Sequence, residues 1–170
     1  MKSIRLNLIA LLTAAACLFG GYAHAAALTD YAENKAVDAL LRGQSLGAPA
    51  TMYIGLATDT CTDSGAGTEP SGNAYARVAV TSSFANWAGT QSAGSTTASS
   101  GTGGTTSNNA SITWPASTGS WGTLQSVRWY DAASAGNSWI CINLTSSLNV
   151  SGAGFTVQFT AGQLQFQIDN

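Results

Sequence analysis

Six lysines and arginines stand against eight aspartates and glutamates in 170 residues, and charged side chains make up only 8% of the chain. Binding to nucleic acid or to an anionic membrane surface draws on clustered cations, so this scarcity of Lys and Arg argues against a nucleic-acid partner and disfavours an anionic membrane surface. A single histidine, His24, and three cysteines leave equally little material for imidazole-based catalysis or a zinc site.

The first 25 residues read as an address. Lys2 and Arg5 form a short cationic region, and Leu6 to Phe19 an apolar region too short for a comfortable bilayer span. Gly20, Gly21 and Ala23-His24-Ala25 follow as a breaker and an Ala-x-Ala cleavage signal. The pattern predicts a signal peptide over 1–25 and a single exported domain over 26–170, periplasmic or extracellular. Cys17 fits a lipidation site poorly, because Ala14 stands where Leu is usual and apolar sequence continues through Leu18 and Phe19. Cleavage removes His24, and with it any Ser-His-Asp or Cys-His mechanism. Lys35, Arg42, Arg77 and Arg128 are the cations that remain, and no later apolar stretch is long enough to cross a membrane. No cofactor is expected.

The spacing next predicts one helix over 30–42. Asp30 is its expected N-cap with Glu33 at N3, Ala36, Val37, Leu40 and Leu41 form an apolar stripe, and Gly43 is a C-terminal stop. Everything afterwards alternates with period two. Met52, Ile54 and Leu56 define one strand, Ala76, Val78 and Val80 a second, Ile112 and Trp114 a third, and Val127 and Trp129 a fourth. Ile140, Ile142 and Leu144 define a fifth, with Leu148 and Val150 a short sixth; Phe155 to Phe159 and Leu164 to Ile168 resemble a closing hairpin. Seven or eight short antiparallel strands predict an all-β domain, a β-sandwich or jelly roll, with one N-terminal helix. The stretch 88–109 is almost wholly Ser, Thr, Gly, Ala and Asn, and it predicts a flexible excursion, since it lacks apolar side chains to offset its ordering entropy.

Candidate sites are few. Asp59, Asp63 and Glu69 gather carboxylates in a Gly-containing loop where calcium is conceivable, but the spacing is not that of an EF-hand and a solvated hairpin loop explains it as well. Cys61 and Cys141 are open to two readings, a disulfide favoured by export or two separate small side chains. Of the five tryptophans, Trp114, Trp129 and Trp139 lie in strand patterns, whereas Trp87 and Trp121 lie near turns and are the candidates for ligand contact. Nothing local places Asp131 and Glu69 across a cleft as an acid–base pair, and an ion pair of either with Arg77 or Arg128 is the simpler reading. No catalytic residue is assigned.

Several stretches in order resemble a family of small tailed-bacteriophage structural proteins described as tail-fibre proteins. These are Leu28-Thr29-Asp30-Tyr31-Ala32-Glu33-Asn34-Lys35, Ala50-Thr51-Met52-Tyr53-Ile54-Gly55-Leu56, Gly67-Thr68-Glu69 with Tyr75-Ala76-Arg77, Ser111-Ile112-Thr113-Trp114-Pro115, Thr118-Gly119-Ser120-Trp121-Gly122-Thr123 and Tyr130-Asp131-Ala132-Ala133-Ser134. The resemblance covers nearly all of the mature chain outside the Ser/Thr/Gly insert. It implies a non-enzymatic virion component, a homo-oligomer on the tail or particle surface in contact with other virion proteins and with the host. Tyr31, Val37, Leu40 and Leu41 are the expected helix contacts, and turns near Trp87 and Trp121 the expected host-facing elements. An export signal and a cysteine pair both depart from the family's pattern. The alternative is a secreted glycan-binding or matrix protein derived from such a gene.

Overall fold

A computed structural model describes residues 27–89, 98–100 and 104–168; the expected signal peptide lies outside them. The chain runs β1 (Ala27–Leu28), α1 (Asp30–Leu41), β2 (Thr51–Ala57), β3 (Val78–Thr81), β4 (Thr105–Ser107), β5 (Ile112–Thr113), β6 (Gly122–Tyr130), β7 (Ser138–Val150), β8 (Gln158–Phe159) and β9 (Gln165–Gln167). All strand pairs are antiparallel, and one helix near the start completes an all-β fold. Five strands form the main sheet in the order β1-β7-β6-β2-β3, and two ribbons, β4-β9 and β5-β8, supply the facing layer.

Register assigns the faces of the main sheet. Leu56 pairs with Val127 and Ile54 with Trp129, while Val127 and Trp129 pair with Ile142 and Ile140 of β7. Residues directly opposite in antiparallel strands share a face, so these side chains make one apolar surface. Ile112, Trp114, Phe159 and Phe166 from the ribbons close over it into a single buried cluster, with the Trp114 and Phe159 rings edge to face at 5.9 Å. The opposite face carries Gly55, Arg128 and Cys141 in one row and Ala57, Ser126 and Asn143 in the next. Except at the exposed Asn143, whose Oδ1 accepts from Cys61 N, it faces not solvent but the long 58–77 connection.

Four expectations need correction. The N-cap of α1 is Thr29, not Asp30: its Oγ1 donates to Ser138 O at 2.5 Å and accepts from Ala32 N, and its carbonyl accepts from Glu33 N at 2.9 Å. Asp30 is already helical, and the helix closes at Leu41 with Arg42 as its C-cap. The two short strands expected around Ile142 and Leu148 are one, β7. No Gly or Pro interrupts Thr145-Ser146-Ser147, and the surplus residues are absorbed where the register jumps between Leu124 and Ser126.

The closing hairpin does not form, because β8 pairs with β5 and β9 with β4. Asn108, 1% exposed, stands between the two arms. Its Nδ2 donates to Thr160 O (2.9 Å) and Ala110 O (2.8 Å), and its Oδ1 accepts from Leu164 N (2.8 Å). Backbone bonds Asn108 N to Leu164 O and Gly162 N to Asn108 O complete the plug. One asparagine therefore occupies the positions through which the arms would have bonded to each other. Of the expected flexible stretch 88–109, residues 90–97 and 101–103 lie outside the described residues, and its two ends are structured. Ala88 N donates to Ser107 O, Trp87 bridges Asn108, and Thr105–Ser107 is a strand, the β-branched threonines suiting a half-buried edge.

A disulfide joins Cys61 to Cys141, with Cα atoms 5.7 Å apart and a sequence separation of 80. It ties the 58–77 connection to the second strand of the sheet. Cys61→Ser is expected to lower the free energy of unfolding by about 4 kcal/mol in the chain-entropy account, read as a drop in the denaturant midpoint that reductant reproduces in the wild-type protein.

Candidate functional site

The polar face of the main sheet is built from residues that strand alternation alone assigns to solvent. Arg128 is wholly buried. Its Nη1 donates to Gly65 O at 2.7 Å and its Nη2 to Thr60 O at 3.4 Å, while its Nε has no partner. Among the described residues no carboxylate pairs with it; carbonyl dipoles of the 58–77 connection compensate the charge instead. Tyr130 Oη donates to Ala66 O at 2.5 Å and Ser126 Oγ to Asp59 O at 2.8 Å. Gly67, at φ 76°, passes so close to the guanidinium that a Cβ would collide with it. Gly55 leaves room beneath for the Tyr130 ring, whose Cε2 would lie 2.8 Å from a Cβ there.

Beside this layer, Glu69 meets Arg77 with both oxygens, at 2.6 Å to Nη2 and 3.0 Å to Nε. The remaining Arg77 nitrogen, Nη1, donates to Ala132 O and Ala135 O in the β6–β7 turn, and its guanidinium carbon lies 3.3 Å over the Tyr130 ring. Tyr75 Oη donates to Glu69 Oε1 at 2.7 Å and accepts from Leu56 N at 2.8 Å. Burial, then the Glu69 carboxylate, pushes the Tyr75 phenol far above its ordinary range. Burial and Glu69 likewise push Tyr130 up to about 12, against the opposing pull of Arg77 and Arg128.

These ties fix three walls around a groove of about 260 Å³. Thr29, Asp30 and Tyr31 at the start of α1 form one wall, Asp63 to Ala66 the second, and Gly136, Asn137 and Ser138 the third. Asp30 N donates to Asp63 O at 3.0 Å, joining the first two walls. Asp131 holds the third, accepting from Asn137 N at 2.7 Å, Asn137 Nδ2 at 2.8 Å and Trp139 Nε1 at 3.4 Å. Burial alone would raise the Asp131 carboxyl, but these donors hold it below its ordinary value.

The expected site residues fall in different places. Glu69 is committed to Arg77 and Tyr75, and Asp59 Oδ1 accepts from Thr68 N at 3.0 Å. Among the described residues no group of three or more His, Cys, Asp or Glu side chains is arranged to hold a metal ion. Asp63 instead lines the groove. Trp121, expected at an exposed turn, is 4% exposed: its indole donates to Asn73 O at 2.9 Å and its ring meets Tyr75 edge to face. A backbone bond from Trp121 N to Val150 O draws it into the core. Trp87 is half-buried, tilted against Trp129 at 6.1 Å. Tyr31 is half-buried against Trp139. Val37 is 51% exposed and Leu40 and Leu41 are each 81% exposed.

Sequence reasoning missed Thr29, Asn137, Ser138 and the enclosure of Arg128. The one available signal was β6 itself, in which Ser126, Arg128 and Tyr130 alternate with large apolar residues and face two small residues, Gly55 and Ala57, across β2.

The arrangement defines a two-faced β-domain: an enclosed apolar core, a hydrogen-bonded polar second face, and exposed apolar residues on the one helix. Residues 27–167 match the family described as podophage GP4 fiber I protein gp80. The chain belongs to this family of phage fibre proteins, and so is a virion structural protein. No curated protein matches the chain.

Removing one member of the polar layer exposes how much rests on it. Glu69→Ala leaves the buried Arg77 charge without its partner, and is expected to cost about 3–5 kcal/mol of stability, measured by denaturant unfolding. Alkali attacks the same cluster. Tyr130 keeps its proton in the fold up to about 12 but ionises near 10 in the unfolded chain, so its contribution is complete below about pH 10 and is lost as pH rises toward 12. Thermal unfolding across that window is expected to show a falling Tm, with a shallower fall for Tyr130→Phe.

Proposed function

We propose that this fibre protein works as an oligomer in which the C-terminal half of α1 is the assembly contact, leaving other parts of the domain surface free to meet the host. The observation that carries the proposal is the exposure of Val37, Leu40 and Leu41 on a helix whose only buried residue is Ala32. Twelve residues are too few for a helix to be stable in water by itself. Thr29, Ala32 and Tyr31 anchor its first turns, while its last turns carry an unpartnered apolar face. Exposed leucines on a structural protein of a particle are covered by neighbouring copies or by other virion proteins. The Asp38–Arg42 pair, 3.1 Å apart and largely exposed, adds solubility at the rim more than affinity.

A second reading has its own support. The leader-like residues 1–25 and the Cys61–Cys141 bridge both suit an oxidising compartment. That favours export of the chain as a secreted surface or matrix protein that binds glycan. Mass spectrometry of the N-terminus separates the two: a mature chain beginning at Ala26 supports export, and an intact Met1 or Lys2 supports cytoplasmic assembly into particles.

Light scattering after size exclusion tests the assembly contact. The wild-type protein is expected to run as a discrete oligomer at micromolar concentration. Leu40→Glu/Leu41→Glu is expected to run as a monomer whose unfolding free energy stays within about 0.5 kcal/mol of wild type, as for other surface changes. A monodisperse wild-type monomer would sink the proposal.

A further inference from the structure

The groove between the start of α1, the 63–66 loop and the 136–138 turn has the chemistry of a ligand site, and we infer that it binds a single neutral sugar ring. Its size comes first. At about 260 Å³ it lies below the roughly 300–1,000 Å³ of pockets for drug-sized ligands, and so suits one ring and not an extended chain.

Its polar inventory is weighted toward acceptors, with the Ser64 hydroxyl able to serve as either donor or acceptor. The carboxylates of Asp30 and Asp63 accept only, and Asn137 spends its Nδ2 on Asp131 and so offers its Oδ1. No lysine or arginine lines the groove, which disfavours phosphates, sulfates and acidic sugars. Acceptors gathered in this way match a ligand that is mainly a hydroxyl donor. Tyr31, half-buried against Trp139, adds the apolar surface that the carbon face of a sugar requires.

An independent observation marks the groove as unfinished. Ser138 lines it, is only 6% exposed, and its Oγ has no hydrogen-bond partner. Buried hydroxyls in folded proteins are ordinarily satisfied. Ser138 can do so by bonding a ligand hydroxyl, since a serine hydroxyl both donates and accepts.

The walls are also set in advance. The Cys61–Cys141 bridge, Arg128 on Gly65 O and Tyr130 on Ala66 O hold the loop. Asp131 and Arg77 hold the turn, and Thr29 bonds the helix start to Ser138 O. Little ordering entropy is left to lose on binding. This inference deepens the reading of the protein as host-contacting and rests on it: the sugar would be a residue of a bacterial surface polysaccharide.

The experiment is an NMR titration of the full oxidised protein with methyl glycosides of glucose, galactose, mannose and N-acetylglucosamine, with glucuronate as the anionic comparison. At least one neutral glycoside is expected to bind saturably in the millimolar range and more tightly than glucuronate. Asp63→Ala and Ser138→Ala are each expected to weaken it about tenfold, the loss of one good hydrogen bond, whereas Trp87→Ala leaves it unchanged. Asp63 is exposed, so its variant keeps the assay informative should Ser138→Ala unfold. Failure of every neutral glycoside, tighter binding of glucuronate, or binding indifferent to both groove variants overturns the inference. An oligomer that binds none of these sugars leaves the fibre reading standing without the groove; a monomer that binds them at the groove keeps the site and moves the protein to the secreted glycan-binding reading.

Discussion

The guanidinium of Arg128 is the constraint around which the rest of this domain is organised. A charge taken fully out of water without a counter-ion is costly, and it persists only where dipoles replace the lost hydration. Here the dipoles belong to Thr60 O and Gly65 O, so the strand that carries Arg128 cannot be buried until the 58–77 connection lies across it. Gly67 permits the close approach, Gly55 clears the space below, and Cys61–Cys141 holds the arrangement shut. A sheet whose alternation alone would turn one face to water is therefore covered on both, by an apolar layer on one side and a hydrogen-bonded one on the other.

Much of the domain was legible because it is encoded locally. Helical spacing at Val37, Leu40 and Leu41 and period-two alternation through β2, β3 and β6 report their own neighbours, and those elements occur where the pattern puts them. What could not be read depends on contacts far apart in sequence. Arg128 looks like a solvent-facing strand residue until a segment about sixty residues away in sequence folds over it. Thr29 captures the cap from Asp30 because its hydroxyl reaches Ser138 O, 109 residues distant. Trp121 leaves the surface because Asn73 O takes its indole N–H and Val150 O its backbone N–H. The groove combines three segments with no shared motif, which is why no linear pattern announced it.

Rigidity links the two ends of the functional reading. On the proposed reading, the contact that joins this protein to its neighbours and the surface that meets a target need fixed angles between them. In this chain the start of α1 touches both: Thr29 and Tyr31 are pinned to β7 and its turn, while the same helix carries the exposed leucines outward. Displacement of the helix by assembly would reach the groove wall directly, through one short covalent path and not through the core.

Asn108 has a further consequence for how this sequence can change. Because Ala88 bonds to Ser107 and Trp87 to Asn108, the two ends of the intervening segment are brought side by side before anything between them matters. The closure entropy of a loop grows only with the logarithm of its length, about 0.6 kcal/mol per doubling. Residues gained or lost between Ala88 and Thr105 would thus cost the domain little closure entropy, because the contacts that join the two ends do not depend on the length of chain between them.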